Sequence, residues 1–252
     1  MKGFIIRSME LIFEGQISAK ALMESKQRKI ETLIIQKDKR SRDIGYLKAL
    51  ASKNGIMIQT WSREEIDAYA NSKSHGGILV KAHQRPQKPL PAQKLTGYLC
   101  MIDGVEDPYN LGSIARTLYA SGCEALILKK RDWSTAEPTI LKASAGAFER
   151  LPIYWIQNEE ELVTYLKTIQ IPLVIAHRDQ AKSVYDYTFP KSFCLAIGGA
   201  LRGLKATLIQ NADQNLVLDY GREFRYALDT ASVCSAISFE IVRQRRNHHE
   251  YQ

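Results

Sequence analysis

The chain lacks any run of consecutive apolar residues near the roughly 18 that a membrane-crossing helix requires. Its opening residues, Met1-Lys2-Gly3-Phe4-Ile5-Ile6-Arg7, lead into no long apolar core and no small-residue cleavage site, so no secretion signal is read there. Cysteine is scarce. The four thiols, Cys100, Cys123, Cys194 and Cys234, lie far apart with no CxxC pair, which excludes a zinc cluster by spacing and the disulfide framework of a small secreted domain. Internal repeats and low-complexity tracts are also missing. These absences set the expectation of a cytoplasmic protein with buried, reduced thiols, no metal and no membrane partner.

What is present is an ordinary globular composition with a basic bias. Of 252 residues, 45% are hydrophobic and 25% charged, and 35 Lys+Arg against 27 Asp+Glu leave a net charge of +8. A sequence pI near 9.2 favours a polyanionic partner, because clustered cations displace counterions from a phosphate backbone. The cations are grouped in Lys26-Gln27-Arg28-Lys29, in Lys37-Asp38-Lys39-Arg40-Ser41-Arg42 and in Arg243-Gln244-Arg245-Arg246. A solvated basic surface would account for the charge alone equally well.

The length predicts one large domain or two modest ones, at about 150 residues per domain. Helical patterns at Ile17–Glu24 and Ile44–Lys53 alternate with strand-like Thr32–Ile35 and Ile56–Ile58, and Ser62-Arg63-Glu64-Glu65 has the form of a capping box. Arg85-Pro86-Gln87-Lys88-Pro89-Leu90-Pro91 places three prolines within six positions, which predicts a stiff linker. The predicted boundaries are an N-terminal domain over 1–85, a linker over 86–95 and a C-terminal domain over 96–252. In the latter, apolar runs at Gly97–Ile102, Ala125–Leu128, Leu173–Ala176, Phe193–Ile197 and Asn215–Leu218 alternate with helical patterns, the signature of a parallel sheet covered on both faces. A final helix is predicted from Thr230 to Arg246.

Ligands in such a sheet bind beyond the carboxyl ends of the strands, and three segments lie there. In Asp103–Thr117, a helix starting near Asn110 or Leu111, with Asn110 as its cap and Arg116 six residues on, suits an anion such as a phosphodiester. An ordinary cap beside a surface arginine explains the same features. Gly198-Gly199-Ala200-Leu201-Arg202-Gly203 follows another strand and allows close backbone approach, or simply a tight turn; it is not a G-x-G-x-x-G fingerprint. Leu218–Ser232 carries Arg222 and Arg225, two cations in one short loop that again suggest a phosphate ligand, and ends on Asp229 and Thr230 as caps of the last helix.

In order, these segments resemble the three motifs of the SpoU (TrmH-type) RNA methyltransferases of the SPOUT superfamily. Asn110-x-Gly112-x-x-x-Arg116 matches the first, Ile197–Leu204 the second, and Leu218–Ser232 with Phe239–Arg245 the third. Lys142-Ala143-Ser144-Ala145-Gly146-Ala147 resembles the stretch that follows the first motif. The N-terminal region through His75-Gly76-Gly77-Ile78 is similar to the family's small ribosomal-protein-like substrate-binding domain. The chain departs from the pattern at Ala200, where a glutamate is common, and at Ala227-Leu228-Asp229, where Ser-Leu-Asn is common. Tyr220-Gly221-Arg222 also replaces a Pro-Met stretch in a loop one residue longer.

The resemblance implies an α/β protein whose C-terminal parallel-sheet domain holds a deep trefoil knot, and a homodimer in which two chains build each site. It implies transfer of a methyl group from S-adenosylmethionine to a ribose 2′-hydroxyl of rRNA or tRNA. Ala176, Gly198, Gly199, Leu218 and Leu228 would enclose the methyl donor. Arg116, Asn110 and Asp229 would serve catalysis, and Arg222, Arg225, Lys142 and Ser144 would meet RNA. Arg116 is too basic to act as a general base, so its expected role is to hold the neighbouring phosphate and stabilise the developing alkoxide, with Asn110 orienting the ribose or Arg116. A non-catalytic RNA-binding relative is the second reading, resting on Ala200 and Asp229. A nucleotide-dependent oxidoreductase is ranked far below, because the glycine fingerprint and ribose-binding acid it needs are missing.

Overall fold

The computed structural model describes residues 10–199 and 202–249. Along the chain run β1 (Glu10–Glu14), α1 (Gln16–Ser25), β2 (Ile30–Gln36), α2 (Arg42–Lys53), β3 (Met57–Trp61), α3 (Arg63–Tyr69) and β4 (Ile78–His83). Then follow β5 (Tyr98–Asp103), α4 (Pro108–Ala120), β6 (Ala125–Lys129), α5 (Glu137–Ala143), α6 (Ala147–Arg150), β7 (Ile153–Ile156) and α7 (Glu159–Ile169). The last elements are β8 (Leu173–Ala176), β9 (Lys182–Ser183), β10 (Phe193–Gly198), α8 (Ala206–Gln210), β11 (Gln214–Val217) and α9 (Thr230–His249). Strands β7 and β9, of four and two residues, are not among those predicted from sequence.

Two compact units share these elements. The first holds the residues up to Pro86 together with Asp132–Arg150, and the second holds Gln87–Arg131 and the chain from Leu151 onward. In the first unit a four-stranded sheet is ordered β1-β4-β2-β3, with β2 and β3 parallel and the other pairs antiparallel. Local chemistry sets its helices. Ser41 Oγ accepts the Ile44 N–H at 3.1 Å to cap α2, and the Ser62–Glu65 capping box opens α3 as its sequence predicts. His75 is fully buried: its Nδ1 accepts the Gly77 N–H at 3.0 Å and its Nε2 lies 2.7 Å from Asp67, so it organises a turn.

The segment Asp132–Arg150 corrects the predicted boundary, which assigned it to the C-terminal domain. Its physical anchor is Arg28, whose side chain is wholly buried. Arg28 donates to Glu149 at 2.9 and 2.8 Å and to Glu137 as well, while the Arg85 backbone N–H donates to Glu137 at 3.2 Å. Arg28, read from sequence as one of a basic surface run, is therefore an interior cation. A partner 121 residues away in the chain leaves no local signature.

In the second unit seven parallel strands are ordered β7-β6-β5-β10-β8-β11-β9. All six residues of β5 and five of six in β10 are buried, as continuous apolar runs require. Leu99, Met101, Ile127, Leu162, Leu166, Ile175 and Ala196 form the core on one face. On the other, α4 packs with α9 and Tyr98 Oη lies 3.0 Å from Ser238 Oγ. All four cysteines are free and buried. The proline-rich stretch is pinned rather than a free spacer: the Trp155 N–H donates to the Lys88 carbonyl at 2.8 Å, Tyr165 Oη donates to the Gln93 carbonyl at 2.9 Å, and Leu90 and Leu95 pack on the core.

Candidate functional site

The site begins where β10 ends. The chain turns back so tightly that a Cβ on Gly198 would meet Gly203 C at 2.4 Å and Leu204 N at 2.5 Å, and one on Gly199 would meet the Gly104 carbonyl oxygen at 2.8 Å. Only glycine permits these approaches. The turn is fixed by the Gly203 N–H donating to the Gly199 carbonyl at 2.8 Å, and by the Lys205 N–H donating to Asp103 Oδ2 at 3.0 Å. Burial pushes the Asp103 carboxyl above the ordinary aspartate range, and the Lys205 N–H offsets part of that rise. Ala200 lies outside the described residues.

This crossing forms one wall of a cavity of about 430 Å³ at the carboxyl ends of β8, β10 and β11, within the range of small-molecule sites. All five residues predicted to enclose the methyl donor line it: Ala176, Gly198, Gly199, Leu218 and Leu228. Ile197, Leu216, Val233 and Ile237 add apolar surface. His177, Arg178, Asp179 and Tyr220 also line it and were missed from sequence. The three residues that follow β8 obey the same strand-end rule that selected the others, so the signal was available. His177 Nε2 lies 3.1 Å from Asp179 Oδ2.

The first turn of α9 closes the cavity floor. Buried Thr230 donates through Oγ1 to the Gly198 carbonyl at 3.1 Å. Asp229 caps the helix, accepting from the Ser232 N–H at 3.0 Å and from the Ser232 hydroxyl at 2.5 Å, and these bonds hold its carboxyl below the ordinary range. Asp229 is thus committed to capping and does not line the cavity.

Asn110 and Arg116 stand exposed on α4, away from the cavity wall. The predicted capping by Asn110 is corrected. Asp107 is the N-cap, with its Oδ1 accepting the Asn110 N–H at 2.7 Å, and Pro108 occupies the first turn. Proline is preorganised for that position, so the cap falls three residues earlier than expected and the Asn110 side chain is released from capping. Arg222 and Arg225 are exposed in the segment between β11 and α9, the latter 3.9 Å from Glu223.

The other two predicted RNA contacts sit in the first unit. Ser144 is fully buried, donating to the Leu141 carbonyl at 2.9 Å and accepting the Phe148 N–H at 3.1 Å, so its hydroxyl is used within the turn between α5 and α6. Lys142 Nζ is 2.6 Å from Ser74 Oγ, 3.0 Å from Ser72 Oγ and 3.5 Å from Glu14. In the last basic run, Arg243 pairs with Glu240 at 2.7 Å and Arg245 donates to the Lys191 carbonyl at 3.4 Å.

A parallel α/β domain with an apolar cavity at its strand ends, walled by a glycine crossing, defines a ligand-binding domain of the doubly covered sheet class. Within that class, the model of the SpoU rRNA Methylase family matches residues 98–225, and the model described as RNA 2′-O ribose methyltransferase substrate binding matches residues 19–87. The chain belongs to the SpoU rRNA methylase family. It is 25% identical over 243 residues to the 23S rRNA (guanosine-2′-O-)-methyltransferase RlmB of Pectobacterium atrosepticum, covering 94% of this chain and 99% of the relative. The SpoU methyltransferase AviRb from Streptomyces viridochromogenes, solved in complex with the cofactor AdoMet, superposes with a TM-score of 0.77 at 20% identity, covering 96% of this chain and 92% of that one. An AdoMet-bound rRNA methyltransferase from Sinorhizobium meliloti gives a TM-score of 0.76 at 21% identity, covering 93% and 87%. These structures share the fold.

Proposed function

We propose that this protein is an S-adenosylmethionine-dependent RNA (ribose-2′-O-)-methyltransferase acting on ribosomal or transfer RNA. The observation that carries the reading is the cavity at the glycine crossing, lined by all five expected donor contacts inside the domain that the family model matches. The cavity suits the donor chemically. Ala176, Ile197, Leu216, Leu218 and Leu228 offer apolar walls for a nucleoside, and the close-approaching backbone at Gly198 and Gly199 offers peptide groups for its polar edges. S-adenosylmethionine supplies an electrophilic sulfonium methyl group when bound. The protein's task is then to align a ribose hydroxyl with it and to stabilise the proton's departure. Arg116 holds the adjacent phosphate and stabilises the developing alkoxide, with that phosphate assisting deprotonation, while Asn110 orients the ribose or Arg116.

Several finer features belong to the same reading. The Gly198–Gly203 and Gly199–Gly104 approaches support a deep trefoil knot threaded at the carboxyl end of β10. Tyr109, Tyr119 and Phe239 are exposed on α4 and α9, which supports homodimerisation through that helix pair. The N-terminal domain, predicted over 1–85 and joined by Asp132–Arg150, delivers RNA affinity, and Arg222, Arg225 and Lys142 add cations for the backbone. Among the described residues no helix is long and apolar enough to cross a membrane, in keeping with a cytoplasmic enzyme.

Calorimetric titration with S-adenosylmethionine, followed by transfer of a radiolabelled methyl group to ribosomal and transfer RNA pools, tests the proposal. The expected products after digestion are 2′-O-methylated nucleosides. Donor binding without a methylated nucleoside from any pool would overturn the catalytic reading in favour of an RNA-binding relative.

A further inference from the structure

Between β11 and α9 the chain crosses the donor cavity without regular secondary structure, contributing Leu218, Tyr220, Ala227 and Leu228 to its lining. Burial does little to hold this segment. Phe224 is 52% exposed and Tyr226 75% exposed, and their rings form an open row with Tyr220 at centroid separations of 6.1 and 5.6 Å. Among the described residues, the hydrogen bonds made by its backbone from 220 to 228 go to two side chains only. Arg178 donates to the Arg225 carbonyl at 3.2 Å and to the Tyr226 carbonyl at 3.0 Å, and the Leu228 N–H donates to Tyr220 Oη at 3.3 Å. Arg178 joins the two, reaching Tyr220 Oη at 3.4 Å with its guanidinium 5.7 Å from that ring's centroid.

We propose that Arg178 is a positioning residue that clasps the 219–229 segment over the methyl-donor cavity, with Tyr220 relaying the clasp to Leu228. The proposal rests on the donor reading of that cavity. Arg178 lies two residues beyond the end of β8, so it ties a loop anchored in the sheet to one held at its ends, by Asp219 to Ser183 and by the Asp229 cap, whose backbone from 220 to 228 has no other partner outside itself among the described residues. Two successive carbonyls and a phenol oxygen are three acceptors that Arg178 meets from two guanidinium nitrogens of its planar fork, whereas a lysine would have to reach them from one nitrogen. Tyr220 stands in the stretch where this chain departs from the family's third motif.

Trypsin and calorimetry on the full-length protein test the clasp separately from the donor reading. Arg222 and Arg225 are exposed trypsin sites within the segment, and cleavage there requires the backbone to leave its folded path. Arg178→Ala is expected to accelerate cleavage after Arg222 and Arg225 by about tenfold, leave the rate at Lys37–Arg42 in the first unit unchanged, and weaken S-adenosylmethionine binding by about tenfold, equivalent to about 1.4 kcal/mol. Arg178→Lys should restore little of either, and Tyr220→Phe, which keeps the ring, should reproduce part of both. Cleavage of Arg178→Ala after Arg222 and Arg225 at the wild-type rate would overturn the clasp. So would equal acceleration at every site, which signals general loosening. A wild-type protein that binds no S-adenosylmethionine, with segment cleavage still selectively accelerated in Arg178→Ala, would support the clasp and count against the donor reading.

Discussion

Thr230 Oγ1 donates to the Gly198 carbonyl at 3.1 Å, joining the first turn of α9 to the last residue of β10 at the floor of the cavity. The bond spans 32 residues, with Thr230 buried and Gly198 half-buried. Thr230→Val keeps the shape and removes the donor, leaving a carbonyl short of a partner beside the glycine crossing. The expected cost is about 1 kcal/mol of stability, together with weaker donor binding, because the Gly198 backbone is itself a cavity wall. Chemical denaturation and calorimetric titration of the variant check both. Unchanged donor affinity would show that the crossing holds its shape without α9.

Arg116 is exposed on α4 and does not line the donor cavity, so removing it should separate binding from chemistry. Arg116→Ala is expected to lower kcat by about 10²-fold or more, the usual loss for a group that stabilises developing charge, with the Kd for S-adenosylmethionine nearly unchanged. Single-turnover methyl transfer at saturating donor is the measurement. Wild-type turnover would remove Arg116 from the mechanism.

Legibility in the sequence followed the range of the interactions. Five of the seven strands of the second unit and the pocket residues after them were readable, because apolar runs are local and strand ends are where parallel sheets bind ligands. Ala176, Gly198, Gly199, Leu218 and Leu228 came from that rule together with the family resemblance. Arg178 falls under the same strand-end rule and was overlooked, while its pairing with Tyr220 has no local signal, being a contact across 42 residues between two loops. Ser144 was picked out by the resemblance of Lys142–Ala147 to a family segment, and nothing local in that stretch shows that its hydroxyl is used in a buried turn. Arg28 was misread for the same reason: a cation in a basic run declares itself interior only through distant carboxylates. Asn110 lost its capping role to Asp107 because both residues satisfy the sequence rule, and Pro108 decides between them.

Asp229 gives a pH-dependent prediction. The Ser232 hydroxyl and N–H hold its carboxyl below the ordinary aspartate range, so the ionised form stabilises the folded chain. Its contribution is complete above the unfolded value of about 3.9 and is lost as pH falls through the lower folded value. Asp229→Asn keeps an acceptor for the cap, so it should melt close to the wild type at pH 7 and lose less on acidification from pH 5 to 3. Asp229→Ala should cost about 1 kcal/mol at pH 7, as caps do. Melting curves across that range are the check, and parallel acid limbs for wild type and Asp229→Asn would contradict the assignment.

The Arg28–Glu149–Glu137 cluster ties Asp132–Arg150 into the first unit, although the chain enters and leaves that segment from β6 and β7 of the second. Breaking a buried ion pair from one side strands the other charge. Burial already pushes the Glu137 carboxyl above its usual range despite Arg28 beside it, so without Arg28 that carboxylate would be costlier still. Arg28→Ala is therefore expected to destabilise the protein by about 3–5 kcal/mol. Glu149→Gln, which keeps a hydrogen-bond acceptor and leaves Glu137 to balance Arg28, should cost less. Because the raised Glu137 carboxyl is stabilised by protonation, the Arg28→Ala deficit should shrink as pH is lowered from 7 towards 5. Urea unfolding of both variants at the two pH values measures this. A loss below about 1 kcal/mol for Arg28→Ala would mean that apolar contacts, rather than this cluster, recruit the segment to the first unit.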